Sequence, residues 1–321
     1  MTNLLVIRFS ALGDVALLAP VVRAAALQHP DVQITMLSQQ RMADLFADMP
    51  ANVRFLGVDL KKQSLREIVA GLGHYDLVAD MHGVWRSLYI RTILRLRGSK
   101  VRTIHKGRFS RFLLTRQLSR NALKDTVLRF CDVIQGLGLA LSALQAPCKM
   151  AGTGIGIAPF AAHKGKIYPL ERMEEVVRLL SERTQKEKGS EPIILFGGGK
   201  KEQEILDSWC AKYKHVLSTV GKYTLREELE LMRGLRVMIT MDSANMHLAS
   251  LVGTRVVSIW GATHPKAGFM GFGQSAEDCI QRDIPCRPCS IYGKRKCKFG
   301  DYRCMDITPE EVVDKVIGDS Y

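Results

Sequence analysis

The sequence lacks the features that mark membrane-spanning, secreted and disordered proteins. None of its apolar runs approaches the ~18 residues that a membrane-spanning helix needs, although hydrophobic residues make up 46% of the 321-residue chain. The start, MTNLLVIRFSALGD, has neither a basic leader nor a small-residue cleavage site, so no signal peptide is predicted. These absences predict a globular protein of the cytoplasm, long enough for two domains.

Two common nucleotide-binding signatures are also missing. No G-x-G-x-x-G follows the first apolar run, which argues against a nicotinamide-dependent dehydrogenase and against a sugar-nucleotide epimerase or reductase. The glycine-rich stretch FGGGKKEQE, residues 196–204, lacks the G-x-x-x-x-G-K-[ST] spacing of a P-loop.

Acidic residues are absent from one long segment, residues 86–124, which contains twelve Lys or Arg. This segment, the basic strip, accounts for most of the formal net charge of +14. Such a surface attracts nucleic acid, an anionic membrane surface or a phosphorylated substrate, and a solvated basic face is the alternative. The arginines predicted to contact an acceptor or a membrane are Arg108, Arg111, Arg116 and Arg120.

Eight cysteines occur without a predicted secretory signal, so reduced thiols are expected rather than disulfides. Four of them follow the pattern C-x2-C-x7-C-x6-C, and four thiolates can enclose a structural zinc ion. Together with the basic strip, this pattern leaves open a nucleic-acid-binding zinc protein, although aromatics in the RNA-recognition style K/R-G-F-G-F-V are absent. The four residues are Cys286, Cys289, Cys297 and Cys304. The alternative to a zinc site is that their thiols are simply packed in the structure.

Short apolar runs alternate with helical patterns in both halves of the chain, which predicts open α/β sheets with helices on both faces. Strands are predicted at 4–9, 32–37, 53–58, 75–81, 154–159, 192–197, 236–241 and 255–261. Helices are predicted near 14–28, 39–48, 63–72, 123–139, 170–187, 200–213, 225–234 and 244–252. The turn-rich stretch 142–154 is the predicted linker, so two doubly wound α/β domains, 1–148 and 149–321, are expected to face one another across a ligand-binding cleft.

Three polar stretches lie where predicted strands end, the edge at which open α/β sheets bind ligands. Asp14 follows Gly13 at the start of a helix, where it is either a cap or a catalytic carboxylate. Lys164 and Lys166 precede a helix start and suit a phosphate site, with solvated loop lysines as the alternative. The third group contains Asp242, Ser243 and His247. These residues suit a site for a diphosphate and a sugar, and the alternative is an ordinary helix cap with a packed histidine.

Six stretches occur together in one order along nearly the whole chain: SALGDVALLAPVVRA, DMHGVWRS, IAPFAAHKGKIYP, VGKYTLREELELMR, MDSANMHLASLVG and PCRPCS with CKFGDYRCMDIT. On these motifs the sequence resembles glycosyltransferase family 9, the bacterial heptosyltransferases that build lipopolysaccharide core. The resemblance implies two Rossmann-like domains in the GT-B arrangement, the first for the acceptor and the second for the donor. It also implies an inverting transfer of heptose, or a related sugar, from an ADP-sugar without an essential metal.

The resemblance assigns roles to individual residues. Asp14 would be the general base that deprotonates the acceptor hydroxyl, and Lys166 would bind the donor phosphates beside backbone N–H groups of Ala161 and Ala162. Asp242 and Ser243 would hold the donor sugar and phosphate, with His247 supporting the site.

The expected partners are an ADP-heptose donor, a phosphorylated lipid A/core-type acceptor and the anionic inner face of the cytoplasmic membrane, and no nucleic acid is expected. Ala244 stands where many family members have glycine, which leaves a non-catalytic sugar-nucleotide-binding relative as a further alternative.

Overall fold

The computed structural model describes residues 1–148, 151–186 and 191–318. The chain forms two compact units. The first unit contains residues 1–107 and 124–146, and the second contains 108–123 and 147–321. Residues 108–123, which the sequence assigned to the first domain, therefore group with the second unit. Positions 149 and 150, next to the predicted domain boundary, lie outside the described residues, as does the last residue of the predicted helix 170–187.

The first unit is built on a five-stranded parallel sheet with the strand order β3-β2-β1-β4-β5. Its strands are β1 (Thr2–Ile7), β2 (Val32–Gln39), β3 (Val53–Val58), β4 (Leu77–Asp80) and β5 (Lys100–Thr103). Its helices are α1 (Leu12–Gln28), α2 (Leu65–Ala70), α3 (Trp85–Leu96) and α5 (Thr126–Gly136). Because Ile7 of β1 pairs with Asp80 of β4, the loops that follow these two strands are neighbours.

Burial explains why β1 and α1 form the centre of this unit. The side chains of Leu4, Leu5 and Ile7 are fully buried, as expected for a parallel strand covered on both faces. Helix α1 is apolar on nearly every side and is buried along most of its length, so it lacks the polar face of an ordinary surface helix. The turn between β1 and α1 is thereby held in place by core packing at both of its ends.

The second unit is built on a six-stranded parallel sheet with the strand order β11-β10-β9-β6-β7-β8. Its strands are β6 (Ile155–Ala158), β7 (Ile193–Leu195), β8 (Val216–Ser218), β9 (Val237–Met241), β10 (Arg255–Trp260) and β11 (Cys279–Gln281). Its helices are α4 (Arg108–Thr115), α6 (Leu170–Lys186), α7 (Lys200–Lys212), α8 (Leu225–Arg233), α9 (Ala244–Leu251) and α10 (Pro309–Ile317). Because Ala158 of β6 pairs with Thr240 of β9, the loops after these two strands lie side by side.

The predicted fold class, two doubly wound α/β domains with parallel sheets, is confirmed. The sequence misjudged one element, because the helix expected near 39–48 is a 3-10 helix at Gln40–Phe46. Six described strands and α-helices were not predicted, namely α3, β5, α4, β8, β11 and α10. The short 3-10 helices at Lys164–Lys166, Pro265–Ala267, Ala276–Asp278 and Arg303–Met305 were not predicted either. Among the described residues, no helix combines the length and the apolar character that crossing a membrane requires.

Candidate active site

Asp14 lies in the first turn of α1, three residues after the residue that caps the helix. The cap is Ala11, whose backbone N–H donates a long hydrogen bond of 3.4 Å to Asp14 Oδ2. The same oxygen forms an ion pair of 2.7 Å with Arg8 Nη2. Asp14 is therefore not the capping residue, and its carboxylate is oriented by an amide and by a guanidinium.

Arg8 is itself held firmly. Its side chain is mostly buried, Nη1 donates a hydrogen bond to the carbonyl of Met81, and the guanidinium lies 5.3 Å from the centre of the Phe130 ring. An arginine restrained in this way offers its partner carboxylate little freedom to turn. Asp14, in the first turn of the helix that follows β1, is thus a carboxylate with a fixed orientation.

His82 lies beside this carboxylate, a position that sequence reasoning did not single out although the motif DMHGVWRS contains it. Phe9 N–H donates to His82 Nδ1 (3.5 Å), which leaves the proton on Nε2, 3.4 Å from Ser10 Oγ. Burial, reinforced by the positive charge of Arg8, lowers the pKa of His82 to about 4. The imidazole is therefore neutral at physiological pH and donates toward Ser10.

Lys166 and Asp242 are brought together in the second unit. Lys166 ends a 3-10 turn, Lys164–Lys166, in the loop between β6 and α6, and its Nζ lies 2.8 Å from Asp242 Oδ2. Both side chains are largely buried, so the pair is shielded from solvent. Lys164 is exposed instead, with its ammonium 5.4 Å from the centre of the Tyr302 ring. The structure thus distinguishes two lysines that the local sequence pattern alone did not.

The stretch quoted as MDSANMHLASLVG spans the end of β9 and the whole of α9. Ser243 is the cap of α9, but its hydroxyl lies 3.1 Å from Thr240 Oγ1 and makes no side-chain bond to an amide of the helix. Ala244 is the first helical residue, and His247 is buried on the same helix. The first amides of α9 come two residues after Asp242, the ion-pair partner of Lys166, and they make this strand end suited to an anion.

Ala161 and Ala162 lie in the same β6–α6 loop as Lys166. Ala161 is partly buried against the core of the second unit, and Ala162 is exposed. The loop therefore places two small residues, whose side chains leave the backbone accessible, a few positions before the lysine.

Gly293 is a residue of this site that the sequence did not suggest. Its φ is +73°, and a Cβ placed there would lie 2.6 Å from Lys166 Cγ. Only glycine therefore fits both the left-handed backbone and the close approach to the lysine. The segment that contains the late cysteines thus packs directly against the side chain of Lys166.

The four predicted surface arginines separate into two groups. Arg108, Arg116 and Arg120 are exposed. Arg111 is partly buried: Nη1 donates to the Tyr292 hydroxyl (2.6 Å), and the guanidinium lies over the Phe269 and Tyr292 rings. Arg111 therefore attaches α4 to the second unit, and the other three arginines are available to a partner.

All eight cysteines are free thiols. Cys286, Cys289 and Cys297 are partly buried, and Cys304 is buried. Within the described ranges, no three His, Cys, Asp or Glu side chains are placed to hold a metal ion. Structural zinc at these four cysteines stays a prediction.

Comparison with known proteins gives matches along the chain. A family model described as glycosyltransferase family 9 (heptosyltransferase) matches residues 63–302. Lipooligosaccharide heptosyltransferase 2 of Campylobacter jejuni is 27% identical over 132 residues, a match that spans only 40% of this chain and 40% of that protein. Lipopolysaccharide heptosyltransferase 1 of Pseudomonas aeruginosa is 22% identical over 96% of this chain and 92% of its own length.

Solved structures share the fold. The Escherichia coli heptosyltransferase WaaC, determined with ADP-2-deoxy-2-fluoro heptose, superposes with a TM-score of 0.72 at 16% identity. The superposition covers 99% of this chain and all of that chain. At this identity the likeness concerns the fold.

Proposed function

This chain belongs to glycosyltransferase family 9, the heptosyltransferase family, and we propose that it transfers a heptose from ADP-heptose to a lipopolysaccharide-core-type lipid acceptor. The observation that carries the proposal is the Lys166–Asp242 pair at the start of α9. It provides a cation and helix amides for a diphosphate, and a carboxylate for sugar hydroxyls. The names of the relatives and the ADP-heptose analogue in the WaaC structure agree with this choice of donor and acceptor.

The second unit is suited to stabilise the leaving group. When the bond between the anomeric carbon and the diphosphate oxygen breaks, negative charge accumulates on ADP. The ammonium of Lys166 and the first amides of α9 would stabilise that charge, and this stabilisation is a major source of catalysis in such reactions. We propose that the transfer needs no metal, because these groups neutralise the charge that a cation would otherwise neutralise.

The first unit is suited to activate the attacking group, the acceptor hydroxyl. The acceptor oxygen would attack the anomeric carbon from the face opposite the leaving diphosphate, and this direction of attack inverts the configuration. As that bond forms, the proton of the acceptor hydroxyl would pass to Asp14. A carboxylate is a weak base at neutral pH. Much of the contribution of Asp14 to the rate would therefore come from its fixed orientation, which Arg8 and Ala11 set. Atoms and charge balance: heptose moves, Asp14 gains the proton and ADP leaves.

The proposed reaction is tested by a donor screen. We expect transfer to a lipopolysaccharide-core acceptor from ADP-heptose, with and without EDTA, and little from GDP-, UDP- or CMP-sugars. ADP at about 100 times its Kd should also raise the free energy of unfolding by about 2.7 kcal/mol, seen as a higher Tm. Stabilisation by ADP without transfer would instead indicate a non-catalytic sugar-nucleotide-binding protein, and co-purifying nucleic acid without ADP stabilisation would indicate the nucleic-acid alternative.

We further propose that the protein works at the inner face of the cytoplasmic membrane, where the basic strip contacts anionic lipid or a phosphorylated acceptor. The support is charge: Arg108, Arg116 and Arg120 are exposed in a segment without acids, and each cation near such a surface contributes about 1 kcal/mol.

Removing three exposed arginines is expected to weaken membrane binding. The variant Arg108→Gln/Arg116→Gln/Arg120→Gln should bind phosphatidylglycerol vesicles about 10²-fold more weakly, as measured by co-sedimentation at low salt. Arg111 stays unchanged because it holds α4. The matched control removes three exposed lysines elsewhere, Lys61, Lys62 and Lys214. Equal losses in both variants would contradict a role for the basic strip.

A further inference from the structure

Helix α3 carries an apolar stripe on its outer side. The inner side is buried in the first unit through Ser87, Ile90 and Leu94. On the outer side, Trp85 is 66%, Leu88 48% and Leu96 83% exposed. Together with exposed Thr92, these positions are spaced three, four and four residues apart, so they share one helix face. The helix is thus apolar on its outer face as well as toward the core.

Arginines border this stripe. The Arg86 guanidinium lies 5.1 Å from the centre of the Trp85 ring, and Arg95 is exposed near the other end of the helix. Arg91 does not belong to this group, because it forms an ion pair of 2.9 Å with the buried carboxylate of Asp80. The outer face therefore combines a tryptophan, two leucines and two cations, and the basic strip adds no acid to it.

This composition fits the interface of an anionic bilayer. Tryptophan prefers the boundary between headgroups and acyl chains, where its ring is apolar and its N–H is hydrated. Helices that lie in that boundary place leucine and tryptophan in the lipid and arginine among the phosphates. A polyanion such as nucleic acid would match the arginines and leave the leucines in water.

We propose that the outer face of α3 inserts into the interfacial layer of an anionic membrane, with Trp85, Leu88 and Leu96 in the lipid. Arg86 and Arg95 lie at the headgroup phosphates. The inference goes beyond the proposed function by assigning a lipid-inserting element, and it rests on that function only for the choice of a lipid surface. It is independent of the exposed arginines Arg108, Arg116 and Arg120, which belong to the second unit.

The tryptophans of this chain make the insertion directly observable. Of the three, Trp209 and Trp260 are buried and only Trp85 is exposed. Vesicles of phosphatidylglycerol, without any saccharide acceptor, should shift the emission of Trp85 to shorter wavelength, and brominated lipids should quench it. Trp85→Phe should remove both signals while the protein still co-sediments.

A matched pair of variants tests the leucines. Leu88→Ser/Leu96→Ser should weaken binding to the anionic vesicles by about tenfold or more, because two apolar side chains no longer leave water. Leu27→Ser, at an exposed leucine on α1 in the same unit, should leave binding unchanged. Both variants should keep transfer to a detergent-dispersed acceptor, so a failure of the proposed function appears separately, as absent transfer by the unaltered protein.

Several results would overturn the proposal. One is co-sedimentation with unshifted and unquenched Trp85 emission, because the protein would then dock without inserting α3. A second is the same shift and binding with zwitterionic vesicles, since the arginines would have no part in it. A third is a blue shift in the absence of lipid that grows with protein concentration, which would assign the stripe to a second copy of this chain. Absent sedimentation with anionic vesicles also contradicts it.

Discussion

Replacing Asp14 by asparagine is expected to lower turnover by about 10²–10⁴-fold, the usual contribution of a general base. The carboxamide of asparagine keeps an oxygen that can accept hydrogen bonds from Arg8 and from the Ala11 amide, so the side chain should keep its position. It cannot take the acceptor proton. Because Asp14 lies in the first unit and the donor groups lie in the second, the affinity for ADP-heptose should be nearly unchanged.

The measurement is the transfer rate at saturating donor, with ADP-heptose binding followed by calorimetry. A melting curve checks that Asp14→Asn remains folded. If the variant transfers heptose at nearly the wild-type rate, Asp14 is not the base, and its role reduces to stabilising the first turn of α1.

Replacing Lys166 by alanine is expected to reduce donor affinity by about 10²-fold or more, and turnover as well. The affinity falls because a buried cation is lost from the phosphate site, and turnover falls because the leaving diphosphate is less stabilised. The substitution also leaves the buried Asp242 without its charge partner, which costs about 3–5 kcal/mol of stability. Loss of function by this variant alone would therefore be ambiguous.

A second variant separates the two effects. In Lys166→Ala/Asp242→Asn the uncompensated carboxylate is gone, so Tm should recover most of its value while ADP binding stays weak. Lys164→Ala is the matched control, because Lys164 is exposed and two positions away, and it should change ADP affinity by less than about threefold, the scale of an exposed charge pair. ADP binding that recovers with Tm in the double variant would mean that Lys166 serves stability only.

Elements with a strong apolar signal could be predicted from the sequence. The strand VRFLGV was predicted at 53–58 and lies at Val53–Val58, and the helix predicted near 225–234 lies at Leu225–Arg233. Continuous apolar runs indicate buried parallel strands, and the period of 3.6 indicates a helix with one buried face. These signals were enough to establish the fold class.

Five of the six unpredicted elements lack such a signal. Helix α10 has one, because Thr308 caps it, Pro309 begins it and Val312, Val313 and Val316 recur at helical spacing, so it could have been predicted from the sequence. Strand β5, KVRT, lies at the edge of its sheet and three of its four residues are polar, and β8 and β11 have only three residues each. Helix α3 is apolar on two faces, and α4 lies in a segment where arginines dominate the composition. In these elements tertiary packing, rather than local periodicity, determines the structure.

The sequence predicted which residues form the site better than it predicted the contacts between them. The family motifs indicated Asp14, Lys166 and Asp242, and the structure joins the last two in an ion pair. The partner of Asp14, Arg8, lies two residues before the same motif, but no sequence rule says that its side chain turns toward the carboxylate. The approach of Gly293 to Lys166 joins positions 127 residues apart, so only the folded chain reveals it.

The membership of residues 108–123 in the second unit has a consequence for how the chain is made. Arg111 and its partner Tyr292 are 181 residues apart, so at about 5–20 residues per second Arg111 is synthesised roughly 10–35 s before Tyr292. The first unit contains no residue beyond 146, so all of it has been synthesised before Tyr292. The arginine-rich segment, with the side chain of Leu114 that is buried in the finished protein, must wait. We therefore expect a stage of synthesis in which residues 108–123 have not yet met their partners in the second unit, so that Leu114 stays exposed until the C-terminal half is complete.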